Sequence, residues 1–430
     1  MSQRQKYLVV AVVVLAVCYE AFVKLISPGM QFNLDVDALV EGSRKLRQEQ
    51  LKFAPRSDLT KLKPSTNSYT EALFPDGRLV VPGKDQLGKE NATILMLCRN
   101  RELSGVLSAM RSLEDHFNRE YRYPWTFLND EPFTENFIEE TSKMASGKTQ
   151  YGLIPAEDWN RPSWIDEDLF KQRLQEMSDQ QVIYGGSRSY RNMCRFNSGY
   201  FYRQELVKQY NWYFRVEPDV EYFCDFQYDP FTLMRENNKK YGFVISLFEY
   251  EDTIPTLWPT VEEFMTKYPQ HLHPNNALEF ITSKDMITLE GMIPETNHSY
   301  NMCHFWSNFE IANLDFFRSE AYNQFFEHLD QAGGFYYERW GDAPVHSIAV
   351  SLLMDKNEVH HFEDIGYFHN PFMTCPSSKQ MKSGKRCVCR ADTGNVDLAS
   401  HSCLPRWWKY GAGKKFLRDS YNVEDFQASL

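Results

Sequence analysis

The sequence predicts an α/β fold, and three observations carry that expectation. Ala92-Thr-Ile-Leu-Met-Leu-Cys98 is a short apolar run with a β-branched start, which reads as a buried strand. Leu103 to Phe117 then places apolar residues three and four apart, the spacing of one helix face, and a strand followed by a helix is how an α/β sheet opens. Short apolar runs and helical patterns continue to alternate downstream. With 430 residues and 42% hydrophobic content the chain can bury a sizeable core, which excludes global disorder. A net charge of -11, with no basic stripe and no zinc-finger spacing, argues against a nucleic-acid binder.

Taken in order, residues 1–6 read as a cytosolic tail and 7–26 as a transmembrane signal-anchor. Tyr7 to Val23 is apolar except for Glu20, and at about 1.5 Å per residue it just spans a thin bilayer. A cleaved signal peptide is the alternative, but Ala16-Val-Cys18 is a weak cleavage site and the run outlasts a usual signal core. Arg4 and Lys6 precede the run, which places the N-terminus in the cytosol and the remainder in the lumen, a type II topology. Residues 27–90, with five prolines and interspersed charge, read as a stem, partly helical between Asp35 and Lys52. The globular domain is expected over 91–430. Further strands are expected at Pro124–Leu128, at Tyr213–Val216 ending in Glu217-Pro-Asp219, and at Tyr241–Phe248. Helices are expected at Val261–Lys267, Ser319–Leu329 and Val345–Leu353. Beyond Cys18 of the anchor there are eight cysteines, an even number compatible with disulfides whose pairing sequence alone does not reveal. Asn91-Ala-Thr93 and Asn297-His-Ser299 are N-glycosylation acceptors in a lumenal chain.

Three blocks carry the chemistry. Tyr300–Ile311 sets Glu310 among His304, Phe305, Trp306, Asn308 and Phe309. Aromatic faces stack on sugar rings, and a carboxylate beside them can attack or stabilise an anomeric carbon. Gly334–His346 and Asp364–His369 are similarly dense. Each block alone could equally be aromatic core; together they suggest a carbohydrate-active enzyme. Glu217 and Asp219, beyond a strand end, can both approach one divalent cation, although a capped turn explains them too. Arg99 and Arg101 end the first strand, where open α/β sheets bind ligands and an arginine can grip a diphosphate. His369 suits a structural role or a mixed Glu/His metal site. Asp342 and His346 are one helical turn apart, while Pro344 makes Asp342 equally a helix cap. No GxSxG, Walker A or GxGxxG pattern is present.

Those blocks, with Ser189-Tyr-Arg-Asn-Met-Cys-Arg-Phe-Asn-Ser-Gly199, Arg215-Val-Glu-Pro-Asp-Val220 and Ile254-Pro-Thr-Leu-Trp-Pro259, resemble the fungal Golgi α-1,2-mannosyltransferases of glycosyltransferase family 15. The resemblance runs from about residue 91 to Cys375. It implies a GT-A-like nucleotide-sugar transferase domain with a mixed central sheet, behind an anchor and stem in the Golgi membrane. It implies GDP-mannose as donor, Mn²⁺ as cofactor, mannose-terminated glycans on glycoproteins as acceptors, and retention of configuration. By the same resemblance Glu217 and His369 are the metal ligands and Glu310 the candidate nucleophile. Tyr190, Arg99, Asp219, Arg195, His304, Trp306 and Asp342 would contact substrate. The competing readings are a lumenal glycoside hydrolase, pairing Glu310 with Glu338 or Asp342, and an inactive glycan-binding protein.

Overall fold

A computed structural model describes residues 90–282, 300–376, 386–397 and 399–411. The expected anchor and nearly all of the stem, and the acceptor Asn297, lie outside these residues. Among the described residues no helix is long and apolar enough to cross a membrane.

The centre is a seven-stranded mixed sheet built from β1 (Ala92–Leu97), β2 (Trp125–Asn129), β3 (Thr149–Leu153), β4 (Trp212–Arg215), β6 (Tyr241–Phe243), β9 (Glu310–Asn313) and β10 (Val359–His361), in the order β10-β6-β9-β4-β1-β2-β3. β1, β2, β3 and β4 run parallel, so their C-terminal ends share one edge. β9 is antiparallel to β4 and β6, and its register sets Glu310 opposite Arg215. Alternation along the strands splits the core into two layers. Leu95, Tyr213 and Ala312 join one apolar cluster, while Ile94, Met96, Phe214 and Ile311 join the other. Buried on both faces, these strands read as near-continuous apolar runs, which is why β1 was legible.

Two small sheets flank the edge. β7 (Ser246–Phe248) pairs with β8 (Cys303–Phe305), and β11 (Tyr367–His369) lies between β5 (Glu221–Tyr222) and β12 (Phe372–Thr374). The single strand expected over Tyr241–Phe248 is therefore two, in different sheets, with the break at Val244-Ile245.

Helix α1 (Leu103–Leu113) follows β1 after a turn in which Glu102 accepts the Arg99 amide, and α2 (Arg188–Gly199) begins where the Ser187 hydroxyl accepts the Tyr190 amide. α3 (Leu257–Lys267) starts four residues before its expected position. α4 (Glu320–Ala332) is capped by Ser319 and stopped by Gly333, whose φ of 78° is left-handed. α5 (Asp342–Leu353) packs on β8 and α2, and its Ser347 hydroxyl accepts the Phe305 amide. α6 (Leu404–Tyr410) buries Trp407 and Trp408, so the C-terminal stretch through 411 belongs to the same core.

Six of the eight downstream cysteines form disulfides, Cys224–Cys387, Cys303–Cys403 and Cys375–Cys389; Cys98 and Cys194 are buried thiols. Asn91 is exposed, with its amide donating to the Gln209 carbonyl.

Arg195, expected at the substrate, is instead an internal ion pair. It is 1% exposed and donates to both Asp330 oxygens at 2.7 and 2.8 Å. Replacing Arg195 with Met leaves the Asp330 carboxylate buried without a partner, so Arg195→Met should lose about 3–5 kcal/mol in denaturant unfolding.

Candidate active site

The C-terminal edge of the parallel strands opens into a cleft of about 970 Å³. This is where strand ends and their loops present unpaired groups to a ligand. Arg99, Asn129 and Asp130 line it from β1 and β2; Arg215, Glu217 and Asp219 from β4 and its loop; Asp342 and His346 from α5. Tyr190, His304, Trp306 and His369 complete the wall. Tyr190 and Asn197 of α2 are seven apart and share the cleft face, whereas Arg195, five from Tyr190, points to the opposite side. Arg101 is exposed, and neither it nor Glu338 is among the lining residues. Glu338 instead accepts from Thr256 and Trp340.

Arg215 organises the floor. One guanidinium nitrogen donates to Asp342 at 2.5 Å and another to Glu217 at 2.6 Å. Asp342 also accepts the Ser307 hydroxyl at 2.8 Å. Asp342 is thus neither a helix cap nor a partner of His346. Flanked by two carboxylates, Arg215 is held in its charged form against the pull of its burial. Burial would raise the Glu217 carboxyl, but Arg215 and His369 overcome it and bring the group down to about 2.

Glu217 divides its oxygens. Oε1 takes Arg215, and Oε2 lies 3.3 Å from His369 Nε2. His369 Nδ1 lies 3.1 Å from the Asn370 carbonyl, which only accepts, so Nδ1 carries the proton. Nε2 faces a carboxylate oxygen of Glu217, a contact that a proton on Nε2, or a cation in its place, would bridge. A ring whose other nitrogen donates to a backbone carbonyl is the usual arrangement of a metal-ligating histidine. The donor set therefore fits a divalent cation. Among the described residues no group of three or more His, Cys, Asp and Glu surrounds one point, so a cation held here would take its remaining ligands from substrate oxygens or water. Trp306 backs His369 edge-on at 4.8 Å. Asp219 adopts φ 64°, and its amide donates to the Gly105 carbonyl at 3.1 Å. A Cβ on Gly105 would meet the Asp219 carboxylate at 2.6 Å and force that side chain from its present position.

Across the cleft Tyr190 accepts from Arg339 at 3.1 Å, and its ring stacks on Tyr184 at 4.6 Å. Burial pushes the Tyr190 phenol well up, which keeps it a donor. Arg339 also reaches Glu249 at 3.4 Å. Burial pushes His304 down and keeps it neutral. Ile183, Tyr184 and Tyr250, among the most exposed large hydrophobic side chains described, form an apolar rim.

Glu310 sits elsewhere than a nucleophile must. It is 0% exposed and does not line the cleft. Its Oε2 accepts the Tyr241 hydroxyl at 2.7 Å and lies 3.0 Å from Nδ1 of His346, which does line it. His346 Nε2 donates to the Asn197 carbonyl at 2.9 Å, so the Nδ1–Oε2 contact holds a proton belonging to either group. Oε1 has no hydrogen-bond partner, and burial raises the Glu310 carboxyl against the opposing pull of His346. A reacting carboxylate must come within about 3–3.5 Å of the anomeric carbon, and this one lies beneath the cleft wall.

Sequence reasoning missed Arg215, Arg339 and the seating of His346. Arg215 had a signal: two residues before Glu217 at a strand end, it shares that residue's face. Arg339 had none, since its partners Tyr190 and Glu249 are distant in sequence.

The depressed Glu217 carboxyl has a stability consequence. Its folded value of about 2 lies below the ordinary 4.5, so its contribution is complete above about pH 4.5 and fades as pH falls toward about 2. The stability gap between the wild type and Glu217→Gln should close as pH falls from about 4.5 toward about 2, followed by denaturant unfolding at each pH.

A family model described as "Glycolipid 2-alpha-mannosyltransferase" matches residues 44–412. The chain is 52% identical over 422 residues to the probable mannosyltransferase KTR2 of Saccharomyces cerevisiae, covering 97% of this chain and 98% of that one. It is 49% identical to the α-1,2 mannosyltransferase KTR1 of the same yeast, over 74% of this chain and 78% of that one. Among solved structures, core-mannan synthase A of Aspergillus fumigatus in its Mn/GDP form matches with a TM-score of 0.71 and 42% identity, over 76% of this chain and 87% of that one. The mannosyltransferase Ktr4p of S. cerevisiae in complex with GDP matches with a TM-score of 0.72 and 36% identity, over 81% and 86%. An α/β glycosyltransferase fold with a mixed central sheet, matched along most of its length, makes this chain a mannosyltransferase belonging to the glycolipid 2-α-mannosyltransferase family.

Proposed function

We propose that this protein transfers mannose from GDP-mannose to mannose-terminated N- or O-linked glycans of glycoproteins, forming α-1,2 linkages with retention of configuration. The observation that carries the reading is the Glu217–His369 pair, 3.3 Å apart at the C-terminal edge of the sheet. In this reading the chain is a single-pass type II protein of the Golgi membrane, anchored by residues 7–26 and carried on the stem. The names of KTR1 and of the Mn/GDP-form structure support the linkage and the metal.

Glu217 and His369 would hold Mn²⁺, which neutralises charge on a departing diphosphate. Arg215 keeps Glu217 ionised and aimed. Arg99, at the end of β1, suits a phosphate oxygen. Asp342, locked by Arg215 and Ser307, presents a fixed acceptor to a sugar hydroxyl. Tyr190, kept protonated by burial and oriented by Arg339, offers a hydroxyl on the opposite wall. The rim of Ile183, Tyr184 and Tyr250 gives apolar faces to an acceptor chain.

Because Glu310 has no surface on the cleft, the reading assigns the acceptor's attack to the face the diphosphate leaves, with Glu310 seating His346 rather than bonding the sugar. The hydrolase alternative needs Glu310 with Glu338 or Asp342 as an acid–base pair. Two of those three carboxylates do not line the cleft, and the third is bound to Arg215.

With GDP-mannose, Mn²⁺ and methyl α-mannoside, the protein should release GDP and give an α-1,2-linked disaccharide by NMR; nucleotide-independent sugar hydrolysis would refute the reading. Glu217→Ala should abolish Mn²⁺-dependent GDP binding by calorimetry, and unchanged binding would remove the metal assignment. Glu310→Gln should cut turnover by about 10²-fold or more while GDP affinity holds, as expected for a group acting through the geometry of a neighbour.

A further inference from the structure

We propose that the segment Cys387-Val388-Cys389 is a positioning clip for the cation site, holding His369 at its working distance from Glu217. The proposal rests on the Glu217–His369 reading above and assigns a role to a stretch of chain that does not line the cleft.

The sheet that carries His369 is very small. β5 has two residues, and β11 and β12 have three each. One face of the sheet, through Tyr222 and Tyr367, packs on a main core, while Phe223, Cys224, Phe368, Met373 and Cys375 form a satellite cluster on the other. Yet both cation ligands depend on it. His369 ends the central strand β11, and Glu217 lies four residues before β5.

The clip closes both edges of that sheet. Cys224, two residues past β5, is bonded to Cys387, and Cys375, one residue past β12, is bonded to Cys389. The amide of Val388 between them donates to the Phe223 carbonyl at 2.8 Å. Arg390 then donates to Glu221 at 2.5 Å and sets its guanidinium 3.9 Å over the ring of Phe368, the residue before His369. Arg386, on the other side, donates to Asp225 at 2.5 and 3.0 Å, and Asp225 is itself 2.9 Å from His116 beyond α1. One short segment thus ties the two edge strands together and to the end of the first helix. Trp306 bounds the opposite side of His369. Of the two sides that fix His369, the clip is the one far from the cleft.

The test compares the wild type with the paired variant Cys375→Ser, Cys389→Ser, and with Arg390→Ala and Arg390→Lys, in the full-length protein. Mn²⁺ affinity is read by titration calorimetry, and the KM for Mn²⁺ is read against kcat at saturating metal. The paired variant should bind Mn²⁺ about tenfold more weakly, with kcat at saturating Mn²⁺ within about twofold of the wild type. Arg390→Ala, which keeps both disulfides, should lose about threefold, and Arg390→Lys should recover only part of that, since lysine keeps the charge but not the planar stack. Unchanged Mn²⁺ affinity in both the paired variant and Arg390→Ala would overturn the proposal. So would a fall in kcat with no change in the KM for Mn²⁺, which marks general disruption. A wild type whose Mn²⁺ affinity is unaffected by Glu217→Ala would defeat the cation reading itself, and the clip with it.

Discussion

The site depends on one buried guanidinium. Arg215 stands at the end of β4 and joins Glu217 of the next loop to Asp342 of a helix more than a hundred residues later. A charge taken out of water is costly unless it is paired and bonded, so once Arg215 is placed, both carboxylates must come to it. That requirement docks α5 against the sheet edge and fixes which Glu217 oxygen remains for His369. It also leaves the trio with one net negative charge, a surplus matched to a cation rather than to an anionic ligand alone.

Beneath this floor lies a second polar layer. Tyr241, Glu310, His346 and the Asn197 carbonyl link β6, β9, α5 and the end of α2 through a line of hydrogen bonds. Such a layer in a low-dielectric interior is rigid when satisfied, and only one Glu310 oxygen is left over. Its position explains how a carboxylate in an aromatic block can matter to chemistry without touching the reacting atoms. The strand register sets Glu310 directly across from Arg215, so both side chains leave the same face of the sheet and the two polar layers share one support.

Legibility followed the length of each signal. β1, β2 and β4 were readable as short apolar runs, and α4 was readable from its periodicity as far as Leu329, short of its stop at Gly333. The three-residue strands β8, β10, β11 and β12 carry no periodicity to read, and β6 and β7 looked continuous because both are apolar. At the site, Glu217, His369 and Asp342 stood out as polar residues in dense blocks, and the structure gathers them in one cleft. Arg195 stood out in the same way, yet its helical phase sends it inward to Asp330.

By itself the sequence determined the fold class, the family blocks and the chemical inventory of the site, because strand and helix periods and residue types are local properties. Only the tertiary structure decided which carboxylate faces the cleft and which lies beneath it, since that is set by strand register and helix phase between distant segments. Glu217 and Glu310 have the same side chain; pairing with Arg215 and His369 keeps one ionised at the surface of the cleft, and burial raises the other in the core against the pull of His346. The cysteine pairing was decided in the same way, by which strand ends come within reach of Cys387 and Cys389 once the sheets are folded.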